Sequence, residues 1–339
     1  MPRLIDLGER KILQTIIPRF ASGAGDDCAS IILPIGQLVA TTDPVPPPAA
    51  ATIGKDSDPF WMGWLLVTIN ASDLAAAGAA PLAFLAAIEC EATREVSDFE
   101  RLLEGVSSGC SDAGLAYVGG NIREAKQVAA VGIGLGLCHP HKPLGRAGAL
   151  DGDLVISVGQ GGVFWRDALR MIVGTGKVIK EQSPLYKPHS QIKTMHHLAA
   201  KGLISAAMDN SDGLLPSLVE LAAKNGLGIE VDTSLLTVPG LSEEERTDQS
   251  RFWLGWGDWN VIACAPPNRM KQIYEVAGHL DAVVVQIGKC SKEHSGVRLR
   301  RDTHVIPAPR LESERFASDS WMLKGMDEYV RMLRSVPLP

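Results

Sequence analysis

Aspartates recur along this chain in settings of small residues: Gly25-Asp26-Asp27, Thr41-Thr42-Asp43, Asn70-Ala-Ser-Asp73, Gly119-Gly-Asn121 and Asp209-Asn-Ser-Asp-Gly213. Carboxylates spread in this way suit magnesium, which takes one or two of them plus water and lets substrate phosphates complete its octahedron. Two or three such ions would neutralise a triphosphate with no lysine-bearing phosphate loop, and GxxxxGK[ST], HExxH and GxSxG are all missing from the chain. Each segment also has a plain structural reading. Asp–Gly pairs form turns, and Asp212 taken alone reads as a helix cap. Asn70 and Asp73, three apart, share one helix face, and that face is otherwise alanine, isoleucine and glycine. A carboxylate there is costly unless it is paired or bound to metal. The eight histidines show no ligand spacing, and His196-His197 reads as an exposed helical pair.

The elements that must carry these residues can be read from punctuation and period. Asp58 as N-cap, Pro59 at the first helical position and Gly78 as the left-handed stop bound a helix over 59–78. A second helix, about 98–113, has an apparent Ser97/Glu100 capping box, an apolar stripe from Phe99 to Cys110, and Gly114 as its end. Between Val131 and Leu137 large apolar residues alternate with glycines, which predicts a strand whose glycine face is closely approached by another sheet or a subunit. Strands over 154–158, 228–232, 260–265 and 282–287 alternate with helices over 163–173, 211–226 and 267–279. That is an α/β (α+β) pattern. Residues 176–194, 239–252 and 307–322 read as loops, and the proline- and glycine-rich stretch 139–152 as a domain boundary.

With 339 residues the chain suits two domains. A net charge of −6 and no basic block argue against nucleic-acid and membrane-surface roles. There is no signal-peptide pattern, no apolar run long enough to span a bilayer, and no CxxC among the six cysteines. A reduced, cytoplasmic protein is expected.

Six segments resemble the blocks of the thiamine-monophosphate kinase family, in order and in spacing. They are Gly23-Ala-Gly-Asp-Asp-Cys-Ala-Ser-Ile31, Thr41-Thr-Asp43, Asn70-Ala-Ser-Asp-Leu-Ala-Ala-Ala-Gly-Ala79, Gly119-Gly-Asn121, Gly145-Arg-Ala-Gly-Ala-x-x-Gly-Asp153 and Asp209-Asn-Ser-Asp-Gly-Leu214. The family's versions are GDDAA, TTD, NLSDLAAMGA, GGDT, RSGAxxGD and DISDGL. The family belongs to the AIR synthase-like superfamily. The resemblance implies an N-terminal nucleotide- and metal-binding domain, about 1–140, whose sheet pairs across a homodimer. It implies a C-terminal α/β domain, about 150–339, that closes a cleft. ATP and Mg²⁺ are then co-substrate and cofactor. Asp27, Asp43, Asp73 and Asp212 fall on metal positions, and Asp26, Thr41 and Thr42 lie beside them around the phosphates. Gly119 and Gly120 would admit nucleotide close to the backbone, Arg146 would meet a phosphate, and Asp209 and Ser211, with Asp212, would face the transferring group.

Several positions depart from the family. Asn121 replaces a metal-binding aspartate, and Pro44-Val-Pro-Pro-Pro48 replaces a histidine-bearing segment. A GGEDYEL block has become Gly255-Trp-Gly-Asp-Trp-Asn-Val261, which makes Trp256, Asp258 and Trp259 candidates for contact with a changed acceptor. The tryptophans read equally well as packing. A kinase acting on a small, heterocyclic or phosphorylated acceptor is the first reading. An AIR synthase-type ligase or cyclase that activates an amide by phosphorylation is the second, and a non-catalytic nucleotide-binding relative the third.

Overall fold

The computed structural model describes residues 29–33, 35–311 and 321–339. Asp26 and Asp27 lie outside the described residues. Five strands form a first sheet: β1 (Ala29–Leu33), β2 (Gly36–Pro44), β3 (Ala80–Cys90), β4 (Ala116–Glu124) and β5 (Ala129–Cys138), in the order β1-β2-β5-β3-β4. Seven more form a second sheet: β6 (Leu154–Val158), β7 (Ala206–Asp209), β8 (Gly228–Asp232), β9 (Val261–Ala265), β10 (Val284–Ser291), β11 (Gly296–Arg301) and β12 (His304–Pro307). Their order is β12-β11-β8-β10-β6-β9-β7. The longer helices are α1 (Pro59–Ala76), α2 (Val96–Ala113), α3 (Val163–Val173), α4 (Ile192–Ala200), α5 (Leu214–Asn225), α6 (Met270–His279) and α7 (Met326–Ser335).

Helix α1 is the axis of the molecule. Asp58 caps it by accepting from the Phe60 amide, and Pro59 opens it. Fifteen of its eighteen residues are buried. A helix that is apolar all round must be covered all round. One side of α1 lies on β2 and β5, and other sides meet α2, α4 and β7. It is therefore shared between the two sheets. No helix among the described residues is long and apolar enough to cross a membrane.

The glycine-spaced strand forms as read, but what approaches it is different. A Cβ on Gly132 would meet Asn70 Nδ2 at 2.3 Å, and one on Gly134 would meet Leu74 at 3.2 Å. The close neighbour is helix α1 of the same chain, not a second sheet or subunit. The other face of this sheet carries Leu38 on β2, Leu85 on β3 and Ile133, Leu135 and Leu137 on β5, all only half-buried.

Other expectations need correction. Helix α2 starts at Val96 with Glu95 as its cap residue, and neither Ser97 nor Glu100 makes a capping bond. Helix α5 starts at Leu214, so Ser211 and Asp212 lie in the turn before it. Part of the 176–194 loop is already helix α4. Strand β10 runs beyond the expected end at 287, because a bulge between Gln286 and Gly288 breaks its alternation. His196, expected to be exposed, is half-buried against His141, and burial lowers its pKa.

Candidate active site

The first cluster forms where β2 lies on α1. The Thr41 hydroxyl donates to Asp73 Oδ2. The Asp43 amide donates to Asn70 Oδ1 at 3.1 Å, and Asn70 Nδ2 donates to Leu66 O, one helical turn back, at 2.9 Å. Thr41 and Asp73 are nearly buried and Asn70 fully so. Alternation along β2 puts Thr41 and Asp43 on the helix side and Thr42 on the other, where its hydroxyl donates to Gly132 O. Asn70 thus ties the strand bearing Asp43 to the helix bearing Asp73. The small residues of β5 leave it room to do so.

Strand β4 is an edge strand, separated from β2 by two intervening strands. At neighbour spacings of about 4.8 Å the two lie roughly 14 Å apart. Gly119 and Gly120 both have positive φ, at 120° and 156°, and a Cβ on Gly120 would strike Ala86 O. The register with β3 shifts just before them: Phe84 pairs with Tyr117 and Leu85 with Gly119, leaving Val118 as the extra residue of β4. Asn121 is exposed and in register with Ala87, Val131 and Pro44, on the face away from α1. The fold therefore does not bring Asn121 beside Asp43 and Asp73 within one chain.

A second group gathers at one end of the second sheet. Strands β6 and β7 both run antiparallel to β9, so Val158 and Asp209 lie at the end where Asn260 enters β9. Asp209 is buried, Asp212 half-buried and Ser211 exposed. Gly213, at φ 101°, packs against the backbone of Leu254 to Trp256. Four buried polar residues knit this end together. Asn210 Nδ2 donates to Asn260 Oδ1 at 2.9 Å, and Asn260 Nδ2 to Ser157 Oγ at 2.6 Å. Ser157 Oγ donates to Gly159 O, and Ser217 Oγ to Asn210 Oδ1. None of the four was singled out from the sequence; each looks like an ordinary turn or helix polar residue until its distant partner is known.

Arg146 lies in a loop pinned by Asn225, which accepts from the Gly148 and Ala149 amides and donates to Arg146 O. Its guanidinium pairs with Glu220 on α5 at 3.6 Å. Asn225 is a further residue missed in the sequence, where it reads only as the last residue of a helix.

Two of the acceptor candidates are structural. Asp258 accepts from the Gly162 amide at 2.6 Å and the Phe164 amide at 2.8 Å, so both its oxygens cap the start of α3. Burial pushes its pKa up to about 7, against the pull of these amides and with the nearby Asp167 carboxylate adding to the rise. Trp256 packs between Phe164, Trp165 and Tyr329, with ring centroids 5.1 to 6.1 Å away. Trp259 is half-buried and has φ of 54°, an uncommon conformation for a bulky residue.

Among the described residues no three carboxylate, imidazole or thiolate groups gather as a ready metal cage. The donor set at β2 and α1 still fits magnesium, whose sites commonly use one or two carboxylates and take the rest from phosphate and water. Asp43 and Asp73 would hold it there, and the ion would supply charge neutralisation at the phosphates.

Family models match both halves: AIR synthase related protein, N-terminal domain, over 25–138, and AIR synthase related protein, C-terminal domain, over 151–300. The chain belongs to the AIR synthase related family. Within it, this chain is similar to the thiamine-monophosphate kinase of Methanospirillum hungatei, 27% identical over 304 residues covering 89% of this chain and 97% of the relative. The corresponding Aquifex aeolicus enzyme is 30% identical over 241 residues, covering 68% and 74%. Among solved structures, AaThiL complexed with AMPPCP and TMP superposes with a TM-score of 0.73 at 24% identity, covering 90% of this chain and 97% of that one. That likeness shows the shared fold. This family member is of the thiamine-monophosphate kinase-like kind.

Proposed function

We propose that this chain transfers the γ-phosphoryl group of ATP to a small acceptor in a magnesium-dependent reaction. The observation that carries the reading is the cluster where β2 lies on α1, in which the Thr41 hydroxyl donates to the Asp73 carboxylate and the Asp43 amide to Asn70, in a site of small residues. Phosphoryl transfer asks a protein mainly for positioning and charge neutralisation, and this arrangement offers both. Asp43 and Asp73, with Asp27 and Asp212, hold the metal in this reading. Asp26, Thr41, Thr42, Gly119, Gly120, Asn121 and Arg146 surround the nucleotide, and Asp209, Ser211 and Asp212 face the group in transit. Trp259 is left as the acceptor-side candidate once Trp256 and Asp258 are assigned to packing and capping. Similarity to thiamine-monophosphate kinases over most of the chain favours phosphoryl transfer over ligation and over loss of catalysis.

The half-buried apolar face of the first sheet supports a homodimer. An antiparallel sheet normally turns polar residues to solvent on its open face, whereas this one presents leucine and isoleucine. Thr42 and Asn121 lie on the same face, so a second copy docking there would bring its own residues near them. The five described cysteines are all free thiols, which suits a reducing cytoplasm.

A coupled ADP-release screen over a metabolite panel that includes thiamine monophosphate, with mass spectrometry of any product, tests the reading. A stable phosphorylated product is expected. ADP with free phosphate and a new C–N bond would instead mark a ligase, and ATP binding without ADP release a non-catalytic relative.

A further inference from the structure

We propose that Asn210 and Asn260 form a positioning pair that holds the 209–213 turn, and with it Asp209, Ser211 and Asp212, in working geometry without touching substrate. The proposal rests on the phosphotransferase reading above and adds a residue pair to it.

The pair joins two chain segments fifty residues apart by two bonds: side chain to side chain at 2.9 Å, and Asn210 N–H to Asn260 O at 3.0 Å. Both side chains are essentially out of solvent, at 2% and 0% exposure. Around them the donors run in one direction, from Ser217 to Asn210, to Asn260, to Ser157 and on to Gly159 O. Such a chain polarises each of its bonds in the same sense. It ends on Gly159, where the 159–162 loop begins, so the three loops at this end of the sheet are fixed to one another.

A buried amide pair is an expensive way to build a core that leucine or isoleucine would fill. In the blocks this chain resembles, DISDGL and GGEDYEL, the two positions carry an isoleucine and a glutamate. Here both are asparagine, and the two are bonded to each other. Apolar contact is tolerant of small slides, whereas an amide–amide bond weakens within a few tenths of an ångström and steeply with angle. The pair thus fixes the turn more narrowly than an apolar side chain could.

The test uses Asn210→Leu, Asn260→Leu and the double variant. In the double variant Ser157 keeps Gly159 O and Ser217 keeps Gly213 O, so neither hydroxyl is stranded. Each single variant should melt lower than the wild type, and the double should recover most of the loss. Amide hydrogen exchange over residues 209–215 should nevertheless be at least tenfold faster in the double variant. Its kcat for ADP release, measured with Mg²⁺–ATP with and without thiamine monophosphate, should fall at least tenfold, and by a larger factor than the affinity for Mg²⁺–ATP. A double variant with wild-type melting and unchanged exchange over 209–215 would overturn the proposal, as would one with full kcat. If the wild type releases no ADP with any acceptor of the metabolite panel, the phosphotransferase reading fails and the exchange measurement alone decides the positioning claim. If the double variant does not fold, Asn210→Ala replaces it. Exchange over 209–215 should rise and kcat fall at least tenfold, and unchanged exchange with full kcat would count against the pair.

Discussion

Asp73 is nearly buried on a helix whose neighbouring residues are small or apolar, and the Thr41 hydroxyl donates to it. In the phosphotransferase reading this carboxylate is one of those that hold the magnesium. Asp73→Ala should therefore weaken Mg²⁺–ATP binding by tenfold or more, about 1.4 kcal/mol. Calorimetric titration would show this, and unchanged affinity would remove the metal-site assignment. Asp258 illustrates the opposite case, a carboxylate that looks functional and is architectural. Its pKa stands raised to about 7 in the folded chain, above the ordinary carboxylate value of 3.8. The folded state then binds more protons than the unfolded one between those values, so this group's contribution to stability falls as pH rises from about 4 to 7. Asp258→Asn, which cannot titrate, should cost more stability at pH 5 than at pH 8. Denaturant melts at the two pH values would check this, and a penalty independent of pH would contradict it.

The contact between β5 and α1 decides the geometry of the first cluster at the level of elements. Gly132 faces Asn70 Nδ2 so closely that an added methyl group would have to move the amide or the helix, whereas at Gly134 the nearest atoms are 3.1 Å away. Gly132→Ala should therefore lower stability by about 1 to 3 kcal/mol and also weaken nucleotide binding, because Asn70 holds the Asp43 backbone. Gly134→Ala should be milder on both counts. Thermal melts and nucleotide titrations of the two variants would separate them, and equal effects would argue against helix–strand approach as the cause.

At the scale of the molecule, the first sheet turns half-buried leucine and isoleucine, among the described residues, to the side away from α1. Leu135 sits half-buried on it, on the side away from α1. If a second copy covers this face, Leu135→Glu should convert a dimer to a monomer in sedimentation velocity while leaving the melt of the isolated chain within a few degrees. A wild type that sediments as a monomer would rule out this use of the face. The clasp between the two halves is independent of it. Trp64 Nε1 and the Thr68 hydroxyl both donate to Pro188 O, Lys180 pairs with Asp56, and the Tyr186 hydroxyl donates to Gly54 O. These bonds tie the segment 180–191 to α1 and to the turn before it.

Local chemistry was legible in the sequence. The cap and stop of helix α1, the alternating strand β5, the shared face of Asn70 and Asp73 and the ordered blocks around the aspartates all depend on residues within a few positions of one another. Periodicity and turn preference encode that range. The identity of the partner across a contact is not encoded locally. The glycine face of β5 announced a close neighbour, but only the folded chain shows that the neighbour is α1. Asp258 and Trp256 have the residue types of a binding site, and what they do depended on where α3 begins and where Tyr329 lands. The Asn210–Asn260 pair was invisible for the same reason, since two asparagines fifty residues apart carry no shared period. The sequence by itself determined the family and the local elements. Tertiary structure decided which distant residues each polar group meets, because burial and long-range pairing depend on where separate elements land.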